Sequence, residues 1–132
     1  MFKNRKKLIG VAIVAALAFA CKKDDDTPAA EKILGEWSYS RTTYLYKTSN
    51  YEYKDTATGT DDDYVQFLSN GKLYLHLDGS EDTITYKVLG NTSIIIDGDT
   101  ASISKLNGNE FEYYFQVTDG VAIERVDVAF KR

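Results

Sequence analysis

The chain has 132 residues with a formal net charge of −4, 43% hydrophobic and 13% aromatic residues, enough for one domain with its own core. It contains one cysteine, so neither an intramolecular disulfide framework nor a thiolate metal cage can form. The acidic balance supplies no electrostatic footprint for nucleic acid, whose binding rests on Lys and Arg contacts to phosphate.

The N-terminus opens on Met1-Phe2-Lys3-Asn4-Arg5-Lys6-Lys7, basic without an acidic residue, and continues through the uncharged run Leu8–Ala20. A basic head before a short apolar run is the pattern of a secretory signal, and thirteen apolar residues are too few to span a bilayer. Ala18-Phe19-Ala20-Cys21 resembles the lipobox of bacterial lipoproteins, with Leu17 one position further from the cysteine than usual. Residues 1–20 are therefore expected to be a cleaved signal peptide and Cys21 the lipidated residue. Residues 1–20 hold four of the 16 basic residues, which leaves 12 against 20 acidic ones, a net of −8. Lys22-Lys23-Asp24-Asp25-Asp26 resembles the export signal that carries Bacteroidota lipoproteins to the outer face of the outer membrane, with the periplasmic leaflet as the alternative. Residues 21–32 read as the lipidated cysteine and a flexible tether containing the one proline, Pro28, with a brief helical turn at Glu31–Leu34.

From residue 33 to 132 the chain reads as strand after strand. A long first strand spans Gly35–Tyr46, with Trp37, Tyr39, Thr43 and Leu45 sharing one parity. The polar stretch Thr48–Asp63 has room for a short strand at Tyr51–Lys54. Tyr64–Leu68 and Lys72–Leu77 flank Asn70-Gly71, a hairpin signal because both residues tolerate positive φ. Thr83–Leu89 alternates strictly, Ser93–Ile96 follows Gly90-Asn91, and Asp97-Gly98-Asp99 turns into Thr100–Leu106. A second Asn-Gly pair, Asn107-Gly108, leads to Glu110–Thr118, where Phe111, Tyr113, Phe115 and Val117 share a face. Asp119-Gly120 turns into Val121–Phe130, where the apolar parity changes and a bulge near Glu124-Arg125 is expected. About eight strands joined by tight turns, with no helical period, indicate an all-β, small antiparallel up-and-down eight-stranded β-barrel.

Ile33-Leu34-Gly35-Glu36-Trp37, the hairpin segment Tyr64-Val65-Gln66-Phe67-Leu68-Ser69-Asn70-Gly71-Lys72, Thr85-Tyr86-Lys87-Val88 and Ile94-Ile95-Ile96-Asp97-Gly98 together resemble the lipocalin-like domains of small Bacteroidota lipoproteins. The resemblance covers about Ile33 to Lys131. It implies a barrel with Trp37 at the closed end, beside a late basic residue for which Arg125 is the candidate. It also implies an interior that either fills with side chains or holds one small ligand. The candidate interior ligand residues are Trp37, Tyr39, Phe67, Leu75, Tyr86, Tyr113 and Phe115. Their bulk favours a filled interior.

No Ser/His/Asp arrangement or metal-ligand spacing points to catalysis, and no cofactor is implied. The sole histidine, His76, falls out of phase with Leu73, Leu75 and Leu77 and reads as a surface residue. Asp61-Asp62-Asp63 and Asp97-Gly98-Asp99 read as turns, since neither follows the spaced ladder of a Ca²⁺ loop. Tyr44, Tyr46, Tyr51 and Tyr53 cluster around one loop, a composition suited to sugar or protein recognition or simply to β structure. The expected function is thus a non-enzymatic, membrane-anchored binding module for a small apolar molecule or glycan. The alternative is a structural subunit of an envelope complex with a protein partner and a filled barrel.

Overall fold

The structure, a computed structural model, describes residues 27–132. Residues 1–20, expected to be a signal peptide, and Cys21 and Lys22–Asp26 lie outside the described residues.

A short helix, α1 (Ala29–Lys32), precedes nine strands: β1 (Gly35–Lys47), β2 (Glu52–Thr58), β3 (Tyr64–Phe67), β4 (Lys72–Leu77), β5 (Ser80–Leu89), β6 (Ser93–Ile96), β7 (Asp99–Leu106), β8 (Glu110–Asp119) and β9 (Ala122–Lys131). All pairings are antiparallel, and β1 pairs with β9 to close an eight-stranded barrel of β1 and β3 to β9. The expected barrel is therefore present, with β2 as an extra strand. The short strand anticipated at Tyr51–Lys54 is longer and starts at Glu52.

Strand β1 makes both the closure and the extension. Gly35–Ser38 pairs with β3, and Arg41–Lys47 pairs with β2 along the same edge. Between them the Tyr39 N–H donates to the Asp63 carbonyl and the Gly59 N–H to the Ser40 carbonyl. The register against β9 passes from Tyr39↔Phe130 to Arg41↔Ala129, which makes Ser40 a β-bulge. The bulge shifts the inward parity, so Tyr39 and Thr42 face the interior while Thr43 and Leu45 turn outward. The expectation that Thr43 and Leu45 share a face with Trp37 is corrected accordingly. A Cβ on Gly59 would sit 2.3 Å from the Tyr39 carbonyl oxygen, closer than any side chain tolerates. The β2–β3 loop can cross the bulge only with glycine there.

The bulge expected near Glu124-Arg125 is absent: β8 and β9 pair without interruption from Glu110↔Lys131 to Asp119↔Ala122. Val121 lies in the β8–β9 turn and is 73% exposed, and Ile123 takes the outward parity at the start of β9. A second bulge, at Ser104 in β7, brings Ile103 and Leu106 onto one face.

Turn chemistry also departs from expectation. Asn70 and Asn107 do not take positive φ. Their side-chain oxygens instead accept backbone N–H groups of Lys72, and of Asn109 and Glu110. The tight two-residue turns of type I′ are Asp78-Gly79 (φ 53° and 76°) and Asp97-Gly98 (φ 51° and 89°).

One end of the barrel is closed. Ala29 and Ile33 are buried, and the Ala29 N–H donates to Asn91 Oδ1. Residues 29–32, expected to belong to a flexible tether, instead form α1, which packs against the barrel. Ile33 also presents its carbonyl to Trp37 Nε1 at 2.8 Å. The basic residue over Trp37 is Arg132, not Arg125. The Arg132 guanidinium lies 3.8 Å from the indole centroid and donates to the Leu34, Lys32 and Gly108 carbonyls. Arg125 sits on the outer face, forked onto Asp127 at 2.9 Å and stacked 3.7 Å over Tyr114. Arg132 follows directly after β9, at the closed end.

Arg132→Ala is expected to lower unfolding stability by about 1–3 kcal/mol, the sum of a cation–π contact and several charged hydrogen bonds. Arg125→Ala, which removes a surface pair, should cost less than about 1 kcal/mol. Urea denaturation of the two variants side by side checks the order.

Candidate functional site

The closed half of the interior is filled by aromatic rings. Phe111 is fully buried and lies 5.8 Å from each of Trp37, Phe67 and Phe130, and 5.5 Å from Tyr113. Contacts at this spacing add to the area each ring buries. Above this plug the interior is hollow. A cavity of about 360 Å³ lies between the aromatic plug and the end carrying the Asp78-Gly79 and Asp97-Gly98 turns. Tyr113 and Phe130 form part of both, and the walls are Tyr39, Thr42, Val65, Leu73, Leu75, Leu77, Ile84, Ile96 and Val128. The filled interior expected from side-chain bulk is thus realised in one half only.

Of the seven interior residues anticipated from the sequence, Tyr39, Leu75 and Tyr113 line this cavity. Trp37 and Phe67 are sealed in the plug. Tyr86 packs edge-on against Phe67 at 5.0 Å and donates its hydroxyl to the Leu68 carbonyl near the closed end. Phe115 packs against Tyr113 at 5.7 Å and does not line the cavity. Thr42 was missed because the bulge is invisible to strict alternation. Ile84, Ile96, Val128 and Phe130 were legible as inward positions from the parity of their own strands.

The polar groups of the cavity are three hydroxyls. Tyr39 and Thr42 hydrogen-bond each other at 2.6 Å. Tyr113 is 8% exposed, and burial, with Tyr39 nearby, pushes its hydroxyl pKa upward, so it stays a neutral donor at physiological pH.

The tyrosine cluster lies on the β1–β2 hairpin beyond the closed section. Tyr44 meets Tyr53 at 6.1 Å and Tyr46 meets Tyr51 at 6.4 Å. The Tyr44 hydroxyl donates to Glu124 at 2.7 Å, which raises the Tyr44 pKa. Tyr51 and Tyr53 are exposed, as is every residue of β2.

Two concavities on the outside are more polar. One is lined by Arg41, Lys54, Glu112, Arg125 and Asp127, whose charges largely pair among themselves. The other is bounded by residues 60–64, His76, Asp78 and Gly79. In the latter His76 faces outward, half-buried, stacked on Tyr64 at 4.9 Å with Nδ1 3.0 Å from the Asp62 carbonyl. Asp63 is the buried charged residue there: it accepts from the Thr60 N–H and hydroxyl and from the Asp78 N–H at 2.7 Å. These donors, led by the Asp78 N–H, hold its carboxyl below the ordinary value of 3.8. Asp63 thus ties the loop after β2 to the β4–β5 turn. Among the described residues no group of three His, Cys, Asp or Glu side chains is placed to hold a metal ion.

No family model matches the chain, and no curated protein matches it.

Because the folded pKa of Asp63 is depressed, its contribution to stability is present above the ordinary carboxylate value and is lost as the pH falls through the lower folded value. Asp63→Asn should therefore melt below the wild type at neutral pH. The two melting curves should converge as the pH drops below 3.8, which thermal unfolding across pH measures.

Proposed function

We propose that this chain is a lipid-anchored protein of the cell envelope whose barrel is a non-enzymatic binding module for a small, largely apolar molecule. The observation that supports this reading is the hollow half of the barrel. Its volume of about 360 Å³ falls at the small end of the range for ligand sites, with mostly apolar walls and a few polar groups. The recess holds water against apolar walls, so a largely apolar occupant that displaces this water is favoured. The aromatic plug beneath gives it a rigid floor. The anchor rests on the sequence pattern around Cys21, and placement on the outer face of the outer membrane on Lys22–Asp26.

Native mass spectrometry of the protein purified from its host is expected to detect a co-purifying small molecule. Leu77→Trp, which places an indole in the cavity, should abolish it while the variant still folds, at a cost of about 1–3 kcal/mol for overpacking. A protein that carries nothing and takes up no apolar probe would instead favour an envelope-complex subunit, with exposed Tyr51, Tyr53, Val117 and Val121 as its contact residues.

The anchor is tested separately. Cys21→Ser should move the protein from the membrane to the soluble fraction. Replacing Asp24, Asp25 and Asp26 with alanine should protect the anchored protein from protease added to intact cells.

A further inference from the structure

We infer that the barrel cavity selects an uncharged molecule bearing one hydroxyl or carbonyl group, and that the Tyr113 hydroxyl is the group that selects it. The inference rests on the reading that the cavity holds a ligand, and it narrows the chemistry of that ligand.

The cavity lining contains no Lys, Arg, His, Asp or Glu. An anion or cation taken into it would lose its hydration without gaining a counter-charge, a desolvation that apolar walls do not offset. A sugar would fare little better. It carries a hydroxyl on nearly every carbon, and most of these would face Leu, Ile and Val side chains.

A pure hydrocarbon fits the walls but leaves one group unserved. Of the three hydroxyls, those of Tyr39 and Thr42 share one hydrogen bond, so each of them has a partner. The Tyr113 hydroxyl makes no hydrogen bond among the described residues: burial and the nearby Tyr39 account for its raised pKa, with no hydrogen-bond partner among the causes. No sealed side-chain polar atom among the described residues lacks a partner, so this hydroxyl is one that water still reaches, through the cavity it lines. An apolar ligand that displaces that water strands the donor. A ligand with a hydroxyl or carbonyl at that point replaces the water.

The ring of Tyr113 is held from several sides, by Phe111 at 5.5 Å, Phe115 at 5.7 Å and Phe130 at 5.9 Å. The hydroxyl is therefore presented in a fixed direction, as specificity by one hydrogen bond requires. A site built to bond such a group rejects the analogue that lacks it more strongly than an apolar pocket rejects an extra methylene.

Three probes of one shape test this: 2-naphthol, 2-methylnaphthalene and 2-naphthoate, titrated by naphthalene fluorescence into the purified, unlipidated Cys21→Ser protein. The expected result is that 2-naphthol binds at least about tenfold more tightly than either of the others. Tyr113→Phe in the same background should bring 2-naphthol down to the affinity of 2-methylnaphthalene and leave the latter unchanged, with the fold checked by circular dichroism. The wild-type ratio between probes tests the inference even if that variant misfolds. Equal binding of 2-naphthol and 2-methylnaphthalene, or binding of 2-naphthoate as tight as that of 2-naphthol, would overturn the selectivity and leave the cavity reading standing. Failure of all three probes to bind would overturn both.

Discussion

The structure turns on the point where β1 changes partners. A single strand supplies the closing edge to β9, the first pairing to β3 and the whole support of β2. Passing from one partner to the next along one edge leaves two residues, Tyr39 and Ser40, whose backbone groups would otherwise be unpaired. The loop after β2 satisfies both, through Asp63 and Gly59. The approach is so close that residue 59 has no room for a Cβ. The extra residue at Ser40 also sets the interior: without it, residues 39 and 42 would lie on opposite faces of the sheet, and the Tyr39–Thr42 hydrogen bond in the cavity wall would not exist.

Filling and hollowness divide along the barrel axis for a related reason. At the closed end, large rings from β1, β3, β8 and β9 converge on Phe111, and α1 and Arg132 cover Trp37 from outside. Toward the other end the inward positions are Thr42, Leu75, Leu77, Ile84, Ile96 and Val128, shorter side chains that do not meet across the interior. The hollow is therefore a consequence of residue size at the inward positions. It is bounded below by a stack that loses many contacts if any one ring is removed.

The charged residues outside serve mainly to hold geometry. Arg125 is neutralised by Asp127, Arg41 and Lys105 share Glu112, and Asp63 is spent on backbone N–H groups. What is chemically distinctive is inside, in a small number of hydroxyls facing hydrocarbon.

By itself the sequence determined the strand series, the inward parity of most strands and the all-β barrel, because alternation and turn residues are local signals with period 2, while the closed end at Trp37 was expected only from the family resemblance. It also carried the pattern around Cys21. Three things were decided only in three dimensions. Ser40 bulges because β1 must meet β9 on one edge while β3 and β2 succeed each other on the other, a constraint that joins Tyr39 to Phe130 and that no local window contains. Arg132 rather than Arg125 covers Trp37 because β9 runs uninterrupted to the closed end, whereas the change in apolar parity suggested a bulge. The cavity exists because inward side chains from opposite walls fail to meet, and the distance between walls belongs to the closed barrel rather than to any strand within it.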